Sequence, residues 1–185
     1  MKRMTTKEIL SESFRELAKT RSIDRITIQD IVDNCSYSPA TFYRHFKDKY
    51  DLIAWDYTQQ LAKIMGRIDE KEYTWKQTLL DGAKRFQVEK DYLTNLFLHT
   101  SGHDSFIQYM AEINYEALEK HFLALNGQQE LDEKTAMLIR TYCHGTVCLT
   151  CEWILGRYTV TPDELAEIYE DALPIPLRAK LLKEQ

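Results

Sequence analysis

Apolar residues recur at three- and four-residue spacing along almost the whole chain and nowhere alternate convincingly with polar ones. Only four prolines and six glycines interrupt the 185 residues. That pattern predicts an all-α protein of about nine helices. With 44% hydrophobic content, the chain can bury a sizeable core. No run reaches the roughly 18 apolar residues of a membrane span, and Met1–Glu8 lacks the apolar centre of a signal peptide, so a cytoplasmic protein without a membrane partner is expected.

Charge is unevenly placed. The net charge of −5 argues against a generally basic coat, yet residues 1–50 hold ten Lys/Arg against seven Asp/Glu while the remainder holds 14 against 22. A basic end on an acidic body suits a protein that offers only that end to nucleic acid. The segment Ser38-Pro39-Ala40-Thr41-Phe42-Tyr43-Arg44-His45-Phe46-Lys47-Asp48-Lys49 carries the basic and aromatic residues of such an end. Ser38 suits an N-cap and Pro39 the first helical position. At about 100° per residue, Phe42 and Phe46 fall about 40° apart and predict an anchoring face. Ala40, Thr41, Tyr43 and Arg44 turn away from it. Asp48 caps a following helix, which leaves Lys49 in its first turn, where a basic residue invites a phosphate.

Ahead of this segment the periodicity predicts a first helix over 6–20, with Ile9, Phe14, Leu17 and Ala18 inward and Lys7, Glu8, Arg15, Glu16 and Lys19 in solvent. Thr27-Ile28-Gln29-Asp30 reads as a cap for a short second helix bearing Ile28, Ile31 and Val32. Two short helices joined by Asn34–Tyr37 behind a supporting helix make a helix-turn-helix unit over residues 1–50. Residues 51–185 form a helical body, and a long helix over 48–65 connects the two. In the body, Asp69–Tyr73 reads as a charged loop and Thr100–Asp104 as a break. Helices are expected from Thr74, over 91–98, from Phe106 to Asn126-Gly127, over 131–156 and from the Thr161-Pro162-Asp163-Glu164 capping box. Pro174 and Pro176 are expected to stop the last of these and leave a short basic tail.

The run Ile26–Ile31, a turn, and then Ser38–Leu52 resembles the DNA-binding domain of the TetR family of transcriptional regulators. The resemblance covers roughly residues 5–55. It implies that Thr27 lies near the DNA backbone. Tyr37, Pro39, Ala40, Thr41 and Arg44 would face the major groove, and Tyr43, His45 and Lys49 would hold phosphates; beside them and the Ser38 cap, the basic Lys47 is read from its own chemistry as a further backbone contact. It also implies a homodimer on a palindromic double-stranded operator, with the last two helices paired across a two-fold axis; Val147, Ile154, Leu165, Ile168 and Tyr169 are the interface candidates. Ser36 and Arg21 stand where many members have glycine. The wording around Ile26–Ile28 and Thr41–Phe46 is similar to the subgroup that activates dihydroxyacetone kinase operons. That implies control of a small-molecule metabolism operon and a kinase-like co-regulator protein as partner. The alternative is a repressor of a transport or resistance operon induced directly by a small-molecule effector.

Elsewhere the bland reading prevails. Cys143-x4-Cys148-x2-Cys151 matches the spacing of three iron–sulfur ligands, but it lies in a helical pattern and not in a cluster-wrapping loop. His99, His103, His121 and His144 form no metal-ligand pattern, so neither metal nor cofactor is expected. No nucleophile elbow, phosphate-cradling glycine loop or paired catalytic carboxylates occur, so an enzyme is not expected. His99, Tyr109, Tyr115, Tyr142, Glu152 and Trp153 are the candidates for an effector pocket in the body.

Overall fold

Helix starts follow their caps. The computed structural model describes residues 4–68, 73–100 and 105–182. Helix α1 (Thr6–Ala18) opens on Thr5, whose hydroxyl accepts from the Glu8 amide while Glu8 accepts from the Thr5 amide. After a 3-10 turn at Ile23–Arg25 come α2 (Ile28–Asn34) and the five-residue α3 (Pro39–Tyr43), capped by Thr27 and Ser38. Helix α4 (Lys49–Met65) starts on Asp48, which accepts from the Tyr50 and Asp51 amides at 2.9 Å. The body contains α5 (Trp75–Val88), α6 (Lys90–His99), α7 (Phe106–Asn126), α8 (Glu133–Ile154), α9 (Pro162–Asp171) and α10 (Ile175–Leu181). All described regular structure is helical, as the periodicity predicts. The expected loop residues 69–72 and break residues 101–104, with His103 among them, lie outside the described residues.

The segment after Pro174 differs from expectation. Pro174 and Pro176 occupy the N-terminal positions of α10 and do not leave a tail. Proline fills the first turn of a helix without cost, so the residue that ends one helix can open the next. Leu173, Leu177 and Leu181 then pack on Trp75, Leu118, Phe122 and Ile139 as a small satellite core.

The main core is continuous. It runs from Leu10 and Phe14 of α1 through Ile31, Phe42 and Leu52 to Leu96, Met110, Val147 and Tyr169. Helix α5 lies against α9, α7 against α8, and α4 against α7. In α1 the inward face is centred on Leu10, Phe14 and Ala18, whereas Ile9 and Leu17 are only half-buried. Arg15, expected in solvent, is drawn inward by carboxylates from α4 and the start of α6.

Candidate nucleic-acid interface

The candidate interface is built on two phenylalanines. Phe42 and Phe46 are buried, their ring centroids 5.7 Å apart, and Phe46 meets the Trp55 ring at 5.6 Å. Lys7 adds its ammonium over Phe46 at 5.1 Å from the ring centroid. With that side fixed, the opposite side of α3 faces outward. Ser38, Pro39, Ala40, Tyr43, Arg44 and Lys47 are exposed, while Tyr37, Thr41 and His45 are half-buried. The Ser38 hydroxyl accepts from the Thr41 amide at 3.2 Å and lies 3.1 Å from the Thr41 hydroxyl. His45 lines a shallow groove with Lys7, Tyr37 and Trp55.

Three local devices aim this helix. Thr27 and Asp30 form a reciprocal box: the Thr27 hydroxyl accepts from the Asp30 amide at 3.1 Å, and Asp30 accepts from the Thr27 amide at 2.9 Å. The Thr27 hydroxyl and amide, together with the Arg21 guanidinium, pull the Asp30 carboxyl down to about 2. A depressed carboxylate contributes stability above its ordinary range and loses it as pH falls toward that value. Arg21 thus braces the start of α2.

The second device is the turn. Ser36 sits at φ 59, with its amide bonded to the Asp33 carbonyl at 3.3 Å and the Tyr37 amide to Val32 at 2.9 Å. This is a Schellman closure whose left-handed residue is not glycine. Ser36→Gly is therefore expected to stabilise the chain by about 1 kcal/mol. A thermal scan should show a melting temperature about 3 °C higher; an unchanged or lower value would count against strain at the turn.

Lys49 is the third device, and it departs from the sequence reading. Its ammonium donates to the carbonyls of Ile23 at 2.8 Å, Asp24 at 3.1 Å and Ile26 at 2.9 Å. An ammonium has three protons, so all its donors serve the 3-10 turn and none is left for a phosphate. Desolvation lowers its pKa, in keeping with this half-buried seat. Lys49 is a staple between the start of α4 and the turn that precedes α2.

Other side chains that sequence reasoning missed join this unit to the body. Asn95 of α6 donates to the carbonyls of Ala18 at 2.9 Å and Arg21 at 2.8 Å and accepts from the Ile23 amide at 3.1 Å, capping α1 from outside. Arg15 donates to Asp56 at 2.9 Å and forks onto Glu89 at 3.2 and 3.3 Å, and Arg85 shares Glu89. No local signal marks such contacts, because the partners lie 41 and 74 residues away.

In the body a cavity of about 130 Å³ lies among α4–α9. Of the six pocket candidates only Tyr142 lines it. His99 faces Asp24 at the surface, Tyr115 bonds Glu119 beneath the Arg140 guanidinium, Glu152 pairs with Arg157, and the Trp153 indole donates to the Val160 carbonyl. Tyr109 is half-buried away from the lining. The lining comes instead from residues such as Asp56, Tyr57, Tyr92 and Asn114, which the close packing of separate helices brings together. The dimer candidates also need correction. Val147, Ile154, Leu165 and Tyr169 point into the protomer's own core, and only Ile168, 44% exposed, faces out. Helix α8 is apolar on more than one side, so periodicity did not say which side is inward. Its outward side carries Met137, Thr141, His144, Cys148 and Leu149. Cys143 and Cys151 are buried in the same unbroken helix while Cys148 is exposed. The three thiols therefore do not converge, and burial pushes Cys143 up to about 12.

A short capped helix carrying basic and aromatic residues on its exposed side, behind a Schellman turn and two supporting helices, defines a helix-turn-helix protein. Residues 3–54 match the bacterial regulatory proteins of the TetR family, and residues 73–174 match the transcriptional regulator C-terminal region. The chain belongs to the TetR family of transcriptional regulators. Among characterised relatives, the HTH-type dhaKLM operon transcriptional activator DhaS of Lactococcus lactis is 24% identical over 79 residues. That match spans 43% of this chain and 42% of the relative, so it covers less than half of either protein. The solved dihydroxyacetone kinase operon activator DhaS shares the fold at TM-score 0.60 and 17% identity, covering 96% of both chains. Thermus thermophilus FadR, a TetR family repressor solved with lauroyl-CoA, does so at TM-score 0.64 and 18% identity, covering 97% of both. Among the described residues no helix is long and apolar enough to cross a membrane.

Proposed function

We propose that this regulator works as a homodimer that presents two copies of α3 to successive major-groove faces of a palindromic operator. The recognition helices would be separated by roughly 34 to 36 Å or a multiple. The observation that carries the reading is the exposed side of α3, held rigidly by Phe42 and Phe46. Thr41, Ala40 and Arg44 would read base edges and thymine methyls. Tyr43, His45 and Lys47 would hold phosphates, and the outward side of α8 with Ile168 would meet the second copy. Residues 1–50 act as the reading unit, 51–185 as the sensing and dimerisation body, and α4 as the link between them. Selecting bound fragments from genomic DNA tests the whole reading; recovery of no enriched sequence would overturn it. On a selected operator, Arg44→Ala is expected to weaken binding by about 10- to 100-fold and relax specificity at one position. Equal loss on all sequences would move Arg44 to the phosphate group.

The DhaS relatives support control of a small-molecule metabolism operon such as dihydroxyacetone utilisation, with a kinase-like co-regulator as partner. The largely apolar cavity favours a second reading, in which a small molecule enters the body directly and shifts the spacing of the two reading units. Size-exclusion with a candidate partner separates the two: complex formation supports the first, and a ligand-dependent change in DNA affinity without a partner supports the second.

A further inference from the structure

The cavity has about the volume, roughly 150 Å³, of an engineered apolar hollow that takes up benzene. Hydrocarbon forms most of its wall, including Ile53, Leu61, Leu79, Phe86, Leu96 and Met110. Polar groups interrupt that lining, among them Asp56, Asn114 and Thr150, and these bond within the protein. The Tyr92 hydroxyl is shut off from solvent and has no hydrogen-bond partner among the described residues. Other phenols around the cavity are satisfied: Tyr57 donates to Asn114, Tyr142 to the Tyr169 carbonyl and Tyr169 to the Thr146 carbonyl. The Trp75 indole nitrogen is also unpaired but lies beside the Tyr142 hydroxyl, which leaves Tyr92 as the clearer anchor. A buried hydroxyl is costly to leave unpaired, and an oxygen delivered by a ligand would satisfy it.

The charged groups beside Tyr92 decide what kind of oxygen fits. Arg15 lies over the Tyr92 ring at 4.4 Å from its centroid, and Arg15, Arg85, Asp56 and Glu89 balance one another as two cations and two anions. An anionic ligand would bring an uncompensated charge into a low-dielectric space, whereas a neutral acceptor would not.

We propose that the Tyr92 hydroxyl is the polar subsite of this cavity and that it takes an uncharged, mostly apolar molecule of about substituted-benzene size with one acceptor oxygen, of the ketone or ester class. The assignment rests on the reading of the body as a direct effector sensor. It is tested by calorimetric titration of the full chain and of Tyr92→Phe with acetophenone, with ethylbenzene, which lacks the oxygen, and with benzoate, which is charged. The intact chain is expected to prefer acetophenone over ethylbenzene by about tenfold and over benzoate by more. Tyr92→Phe, which keeps the ring beneath Arg15, is expected to lose that preference while binding ethylbenzene unchanged. Retained preference in Tyr92→Phe, tightest binding of benzoate, or binding of no probe at all would overturn the subsite. Operator affinity is measured on the same preparations. Loss of DNA binding by the unliganded chain would count against the regulator reading, and intact DNA binding without probe discrimination would overturn the subsite alone.

Discussion

Arg15→Met is expected to lower the unfolding free energy by about 3 kcal/mol. The substitution keeps most of the stem volume and removes the charge, so the loss reports on the carboxylates left behind. Asp56 is 6% exposed and, among the described residues, would retain only the Ser11 hydroxyl at 2.9 Å. Glu89 would retain Arg85. An uncompensated buried carboxylate is far more costly than the pair itself is favourable. The double variant Arg15→Met with Asp56→Leu should therefore recover most of the lost stability. Urea unfolding would show the single variant at a lower midpoint with unchanged slope and the double variant near the parent. A single variant within about 0.5 kcal/mol of the parent would mean that the latch between α1, α4 and α6 contributes little.

Lys49→Met is expected to cost about 2 kcal/mol, since three carbonyls lose a charged donor at once. It should also weaken operator binding, because the 3-10 turn and the Thr27 box that follow set the position of α2. The salt dependence separates this role from a phosphate contact. Each neutralised phosphate contributes a slope of about −0.9 in the logarithmic plot of affinity against salt. Lys49→Met should lower affinity by a similar factor at every salt concentration, whereas Lys47→Ala should flatten the slope by about one contact. A flattened slope for Lys49→Met would return the ammonium to the DNA.

What the sequence discloses depends on how far each interaction reaches. Ser38-Pro39, Asp48 and the Thr161 box act within three residues of themselves, so their helix starts are readable letter by letter. The family resemblance rests on the same short segment. Arg15 reads as a solvent residue because its partners arrive from distant helices, and Lys49 reads as a phosphate ligand because its three carbonyl partners belong to a turn without side-chain signature. The cavity is a gap between helices, which no stretch of sequence encodes; five of its six candidates consequently lie elsewhere. For α8, periodicity announces a buried helix yet cannot choose between inward and outward among several apolar sides.

The α1 helix ends on an asparagine supplied by α6, and its apolar underside is continuous with that of α7 and α8. The N-terminal unit therefore shares its floor with the body. Cut free near residue 50, it would lose the Tyr92 ring from Phe14 and forfeit the Asn95 cap. Head and body should accordingly melt in one cooperative step, and whatever loosens the body will be felt at α3 as lost rigidity.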